Sequence, residues 1–146
     1  MAHKTILLKG DPLQKERAAA GTITPGHLIE LDTDGNVIVH ATDGAPAANM
    51  FAIEDSLQGN EIDDDYSEDD RVQYIVGRAG DEVLMWLADG ENAGIGDFLV
   101  SAGDGTLRVM SGDSATEEAV VAQAIEAVDR DDSAITTAGR IEVEIM

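Results

Sequence analysis

The chain of 146 residues contains no cysteine. Disulfides, thiolate nucleophiles and cysteine-ligated zinc or iron–sulfur centres are therefore excluded. Long apolar runs are also missing. The N-terminal region has only a short apolar stretch before Lys9, and no run approaches the roughly 20 residues of a membrane span. We therefore expect neither a signal peptide nor a membrane partner.

Basic residues are scarce: nine bases stand against thirty acids, for a net charge of −21, and only three of the bases are lysines. Nucleic acid is excluded as a direct partner, because its phosphates would be repelled. Self-repulsion of this size destabilises a compact chain unless salt screens it. With aromatic residues at 3%, the composition favours a protein of concentrated salt; an ordinary acidic surface is the alternative.

The few bases are unevenly placed. Residues 1–20 contain Lys4, Lys9, Lys15 and Arg17 against two acids, a net charge of +2. We interpret residues 1–20 as an extended N-terminal arm that touches something acidic, and residues 21–146 as a single β domain. A frayed terminus with incidental charge is the alternative interpretation.

Turn residues recur at short spacing, with apolar runs of four to eight residues between them. This pattern is typical of an all-β sandwich or barrel. The C-terminal IEVEIM alternates as a half-buried strand does, whereas VLMWLA (83–88) is apolar on both faces. The latter predicts a central strand, or one covered by another subunit.

One turn-and-hairpin unit occurs twice, at an offset of 70 residues. Gly26 matches Gly96, and the Asp-Gly of Gly35 matches that of Gly105; Asp-Gly tolerates the positive φ of a tight hairpin. Pro25 belongs to the first of these turns. A second echo links Ala-Ile-Glu at 52–54 and 124–126, and a weaker third turn lies at 69–72. We predict structural corners here, because the copies share turn residues and no reactive side chain.

Residues 115–128 are ambiguous. The Ser-Ala-Thr-Glu at 114–117 matches a helix capping box, and the following run has good helix propensity. The same run alternates, and its echo partner lies in a strand-like context. We favour a strand over 120–128, after one helical turn near Ala115, and leave the helix open.

Reactive groups are not organised into a recognisable site. We expect His3, His27 and His40 to have no catalytic or metal role, with His27 and His40 as surface residues. No P-loop, GxGxxG or GxSxG is present. Seven carboxylates crowd residues 61–70, but the spacing lacks the glycine of an EF-hand loop, which favours a solvated loop over a cation site. We expect no enzyme activity and no cofactor.

Several motifs, in order, cover nearly the whole chain after residue 20. They are the runs at 21–31, 34–37, 51–54, 70–72, 96–99, 124–126 and 140–143, together with Gly59, Tyr66 and the Asp-Gly at 104–105. Their order and spacing resemble those of tailed-phage head decoration proteins, also called capsid cement proteins. The family pattern has glycine before the aspartate of the central turn, where this chain has Asp69; the geometry of that turn is therefore in question.

The resemblance implies a small β-barrel or β-sandwich, of the β-tulip or SH3-like type, that trimerises on the outer surface of a virion capsid. The implied partner is the major capsid protein, whose neighbouring subunits the trimer clamps. With the charge, it implies a virus of a salt-loving host, assembled in the host cytoplasm. We expect the arm to dock on the capsid through seven residues: Lys4, Ile6, Leu7, Leu8, Lys9, Lys15 and Arg17.

A module of a different class is the alternative. Turn-strand-hairpin units also occur in β-clip domains that bind carbohydrate or accompany carbohydrate-processing enzymes. A sugar there would need an aromatic platform, and this chain has only Phe51, Tyr66, Tyr74, Trp86 and Phe98 to supply it.

Overall fold

The structure is a computed structural model that describes residues 3–112, 117–130 and 139–146. Over these ranges it is an all-β fold, as expected from the turn spacing, with one short 3-10 helix at Ser56–Gln58. No helix in the described ranges is long and apolar enough to cross a membrane. The strands are β1 (Leu7–Lys9), β2 (Leu13–Ala18), β3 (Leu28–Leu31), β4 (Val37–Val39), β5 (Met50–Ala52), β6 (Arg71–Val76), β7 (Glu82–Leu87), β8 (Asn92–Ala93), β9 (Phe98–Ser101), β10 (Leu107–Val109), β11 (Val120–Ala124), β12 (Val128–Asp129) and β13 (Gly139–Ile145).

Five of the strands form a closed barrel, which we call the second barrel. Its order is β7-β10-β9-β11-β13, and β13 pairs again with β7 to close the ring. β1 pairs antiparallel with the first residues of β7, Glu82 and Val83. The VLMWLA segment is therefore a central strand, as predicted, and Ile141, Val143 and Ile145 of β13 all face the core.

Strands β2 to β6 form the first barrel, in the order β2-β6-β5-β3-β4. Its ends meet at one parallel bridge between Ala19 and Val37. The second barrel closes in the same way, since β7 and β10 meet at one parallel pair, Leu87 with Leu107. A two-stranded ribbon of β8 and β12 completes the fold.

The two barrels are copies of one five-stranded unit. The first cross-strand row joins Leu28, Phe51 and Ile75 of β3, β5 and β6. The same row in the second barrel joins Phe98, Gln123 and Glu144. Residue for residue, β2, β3, β4, β5 and β6 correspond to β7, β9, β10, β11 and β13. The echo in the sequence is thus the visible part of a structural repeat that spans both barrels.

The corner at Gly26 is one of four copies of a single turn, at 24–27, 67–70, 78–81 and 94–97. In each, the fourth residue donates its amide to the first carbonyl over 3.0 to 3.1 Å. The fourth side chain, histidine or aspartate, accepts the first amide. The third residue has a positive φ in all four copies, as a type II turn requires.

The buried apolar residues form two clusters, and the inner and outer faces of the first barrel contribute to different ones. Side chains such as Ile29, Val72 and Tyr74 fill the inside of the first barrel. The outward row of Leu28, Phe51 and Ile75 packs together with the interior side chains of the second barrel. We call this larger cluster the second core. A Cβ on Gly77 would collide with Ile145 and Phe51, so its glycine lets the end of the second barrel reach this outward face.

The ambiguous segment is a strand in its described part. β11 covers Val120–Ala124, and a bend separates it from β12 at Val128–Asp129. The strand prediction is correct over most of its length, but a bend interrupts it. The helical turn expected near Ala115 lies outside the described residues.

Candidate functional site

The junction between the barrels is centred on Trp86 of β7 and Arg140 of β13, which lie opposite each other in the sheet. The Arg140 guanidinium carbon is 4.6 Å from the centroid of the Trp86 ring, a cation–π arrangement. Both side chains serve the carbonyl of Pro25 in the first barrel: Trp86 Nε1 donates at 2.9 Å, and Arg140 donates at 3.2 and 3.3 Å. The sequence-predicted corner is thus a docking element between barrels.

The same arginine ties down the acidic loop. Arg140 donates to a carboxylate oxygen of Asp63 at 2.7 Å and to the carbonyl of Ile62. Asp63 is largely exposed, so its ion pair is worth little by itself. A second arginine, Arg108 of β10, donates to Asp43 of the first barrel and pairs with Glu118. The side-chain hydrogen bond from Arg108 lowers the pKa of Glu118.

An open cleft of 340 Å³ lies beside Trp86, lined also by Thr24, His27, Asp63, Asp65 and Thr106. Burial lowers the pKa of His27, so the imidazole is neutral at physiological pH. Its Nδ1 accepts the Thr24 amide, and its ring lies 6.0 Å from that of Trp86. Arg140 covers one face of the tryptophan ring, so at most the other face is open to this cleft.

The other two histidines are held by protein groups. The expectation of a surface position is wrong for His40, which is 2% exposed. Its Nε2 donates to the Pro46 carbonyl at 3.0 Å, and its Nδ1 shares a hydrogen bond of 2.6 Å with Ser101 Oγ. His40 thereby joins the two barrels, since Ser101 belongs to β9. His3 lies 2.5 Å from a carboxylate oxygen of Glu142.

The acidic loop at 61–70 is organised by its own hydrogen bonds. Asp64 accepts the Glu61 amide, and Asp70 accepts the Ser67 amide. Tyr66 is buried and donates to the Ile53 carbonyl at 2.6 Å; burial raises its pKa to about 12. Among the described residues, no cluster of three or more acids or histidines has metal-binding geometry.

The predicted arm lies along both barrels, because it contributes β1 to the edge of β7 and β2 to the edge of β6. The four bases Lys4, Lys9, Lys15 and Arg17 are exposed, and Leu7 and Leu8 are half-buried. Ile6 is fully buried in the second core, so it supports the chain's own fold and is not available to a partner. The boundary at residue 20 stays a prediction.

The predicted corner residues differ in burial between the two copies. Pro25 and Gly26 are buried against Trp86, whereas their counterparts Ile95 and Gly96 are exposed. Gly35 and Gly105 close the two hairpins with φ values of 81° and 86°. Sequence reasoning missed the partners of the buried corner; the only signal was the two-faced apolar strand that contains Trp86.

The chain is similar in structure to the "head fiber gp8.5 N base in bacteriophage phi29". The similarity covers 92% of this chain and 93% of that chain, with a TM-score of 0.57 and 14% sequence identity. No protein-family model matches the sequence, and no curated protein matches it. At this identity the likeness shows a shared fold.

Proposed function

We propose that this chain is a structural protein of a phage virion. In this proposal it binds the outside of an icosahedral capsid as a trimer and stabilises contacts between neighbouring major capsid subunits. The observation that carries the proposal is the fold shared with a phage head fiber base over 92% of the chain. The order of motifs that resembles capsid cement proteins supports it independently. No catalytic step is assigned to any residue.

The proposed stabilisation follows from mass action. A ligand that binds only the assembled shell shifts the equilibrium towards the shell. Three linked copies bind together, so individually weak contacts combine through a high effective concentration. A small fold that is rigid and closed suits this role, because little conformational entropy is lost when it binds.

The proposed capsid contact is the N-terminal region around β1. Lys4 and Lys9 are exposed and supply two bases on an otherwise acidic molecule, with Lys9 also 3.5 Å from a carboxylate oxygen of Glu82. Half-buried Leu7 and Leu8 lie between them in sequence and offer apolar area. This chemistry fits an acidic capsid surface with a shallow apolar strip. Ile6 is excluded from the contact by its burial.

The proposal is tested with purified protein and capsids that lack decoration. The expected result is saturable binding in a fixed ratio to capsid subunits, with the capsids surviving higher temperature once coated. Lys4→Glu and Lys9→Glu should each weaken binding. The double variant Ala41→Glu, Thr42→Glu changes the net charge by the same two units at exposed sites in the loop after β4, and should bind as the unaltered chain does. Capsids that remain bare at saturating protein would overturn the proposal.

A further inference from the structure

The contacts between the two barrels show how this repeated unit packs on its own copy. The corner 24–27 of the first barrel, with the outward row of Leu28, Phe51 and Ile75, packs against the second barrel. On the second barrel, the receiving groups are Trp86, Arg140 and the core side chain Ile145. One unit thus presents its corner and outward row, and the other presents the β7–β13 side.

The second barrel has an equivalent corner that the first barrel does not cover in the described part of the chain. Ile95, in the position of Pro25, is 73% exposed, and Phe98, in the position of Leu28, is 42% exposed. Gly96 between them is exposed, whereas Gly26 is buried. An isolated exposed leucine or isoleucine needs no explanation, but here two large side chains of one corner are exposed together where the sister corner is covered.

The first barrel has an equivalent receiving side that is also uncovered. Ala18 and Arg71 lie opposite each other as Trp86 and Arg140 do. Arg71 is exposed, and its ion pair with Glu16 is long, at 4.0 Å. Three core-lining positions repeat the difference: Leu13, Met50 and Val76 are exposed or half-buried, whereas their counterparts Asp81, Ala122 and Ile145 are all buried.

We propose that neighbouring copies of this chain associate head to tail, with the corner 94–98 of one copy packed on the β2–β6 side of the next. Arg71 then donates to the carbonyl of Ile95, as Arg140 donates to that of Pro25. Phe98, in the position of Leu28, packs on the β2–β6 side next to this corner. The contact between chains repeats the corner contact within the chain, and the row behind the corner has Gln123 and Glu144 where the first barrel has Phe51 and Ile75.

The charged groups of the two surfaces include one opposite pair. Arg71 of the receiving side shares its face of the sheet with Glu16, whereas Lys15 and Arg17 pair with Tyr74 and Val72 and lie on the other face of β2. The corner side has Asp97 beside Phe98, and Glu144 in the same cross-strand row. Opposite charges at a rim steer association and set the register, and Arg71 is the base of the receiving side that can do so.

A head-to-tail contact is heterologous, so it produces a ring when the rotation closes and a filament when it does not. The inference rests on the trimer of the proposed function, in which three two-barrel chains close a ring of six barrels. Because each contact uses two different surfaces of one chain, removal of either surface leaves an unassembled chain with an intact fold.

The absence of cysteine allows a direct test. Ile95→Cys and Ala18→Cys are made as separate single-cysteine chains and treated with a short bismaleimide, alone and mixed. The head-to-tail contact predicts cross-linked dimers in the mixture and none with either chain alone. Thr42→Cys, at an exposed residue in the loop after β4, whose neighbour Gly44 donates its amide to Ser101 at the end of β9 remote from the corner, should not cross-link in any combination. Cross-linking of either chain alone, or none in the mixture, would overturn the inference.

Mass and capsid binding separate this inference from the proposed function. Phe98→Asp should reduce the solution mass to that of one 15.4 kDa chain, whereas Thr42→Asp, at an exposed residue in the loop after β4, should leave it at three times that value. A cross-linked ring that does not bind capsids contradicts the proposed function alone. A capsid-bound trimer without the Ile95–Ala18 cross-link, tested on the capsid, contradicts the head-to-tail contact alone.

Discussion

Asp69 and Gly96 hold the same position in two copies of one turn, and both have a left-handed backbone, with φ values of 72° and 94°. Each donates its amide into a neighbouring strand over 2.8 Å, to Ala19 and to Ala124. The departure from glycine at Asp69 therefore leaves the turn geometry unchanged. It leaves strain instead, because a Cβ is disfavoured at positive φ.

We predict that Asp69→Gly stabilises the protein. Glycine removes the left-handed penalty, about 1 kcal/mol. It also adds entropy to the unfolded chain, which costs about 0.4 to 1 kcal/mol of stability and offsets most of that gain. The expected gain is a few tenths of a kcal/mol, measured as an increase in the free energy of unfolding by denaturant titration.

The reciprocal variant Gly96→Asp is the matched control. Only the distant amide of Gln123 lies near a Cβ at this position, so the change adds backbone strain of about 1 kcal/mol. The unfolded-chain entropy removed with the glycine, about 0.4 to 1 kcal/mol, offsets part of it, and the expected net loss is a few tenths of a kcal/mol. Loss of stability in Asp69→Gly, or no loss in Gly96→Asp, would contradict the equivalence of the two positions.

The part of the fold that could be predicted is the part fixed by backbone conformation. A type II turn needs a positive φ at its third residue, and a tight hairpin favours Asp-Gly, so Gly26, Gly96, Gly35 and Gly105 kept their residue types in both copies. Alternation likewise identified β13, because its inward side chains are buried within the chain itself.

The part that could not be predicted depends on which neighbour covers each strand. β2 and β7 are equivalent in pairing, yet one reads LQKERA and the other EVLMWL, because β7 is buried by the first barrel and β2 is exposed. Their side chains therefore carry no visible repeat. Arg140 and Pro25 are 115 residues apart, and no local pattern indicates their contact.

Arg140 is expected to hold the barrels together, and Arg140→Gln should destabilise the chain by about 2 to 3 kcal/mol, because buried hydrogen bonds from a charged donor contribute about 1.5 to 3 kcal/mol. Arg140→Lys should restore little of the loss, since an ammonium cannot reproduce the planar fork over Trp86. Thermal unfolding followed by tryptophan fluorescence reports both the stability and the environment of Trp86.

Asp63→Asn is the control for this experiment. It removes the exposed ion pair and leaves the Pro25 and Ile62 contacts of Arg140, so the change should stay below about 0.5 kcal/mol, as for surface ion pairs generally. A loss as large as that of Arg140→Gln would assign the effect to the acidic loop and contradict the role given to the junction.

His27 should make stability depend on pH below 6.5. Its pKa is lowered in the folded chain, chiefly by burial, so the unfolded chain binds a proton that the folded chain excludes. The stability that His27 contributes is fully present above its pKa in the unfolded chain, about 6.5. It is lost as pH falls from there through the lower pKa of the folded chain. His27→Asn keeps an acceptor for the Thr24 amide and removes the titration. The unfolding free energy of the unaltered chain should decrease relative to the variant as pH falls from 7.5 to 5.5, and parallel curves would refute this assignment.

The net charge of −21 should make stability depend on salt. Between 0.1 and 1 M salt the Debye length falls from about 10 to about 3 Å, which screens repulsion across the whole acidic surface. The midpoint of thermal unfolding should therefore rise steadily with KCl over this range, as the proposed salt-loving host requires. The increment should shrink at pH values where exposed carboxyl groups bind protons, because the repulsion is then already relieved. That second arm separates charge screening from a general effect of salt on apolar burial, which acts at any pH. A midpoint that does not change with KCl at neutral pH, or an increment that is as large in acid, would leave the acidic composition without the physical role proposed for it.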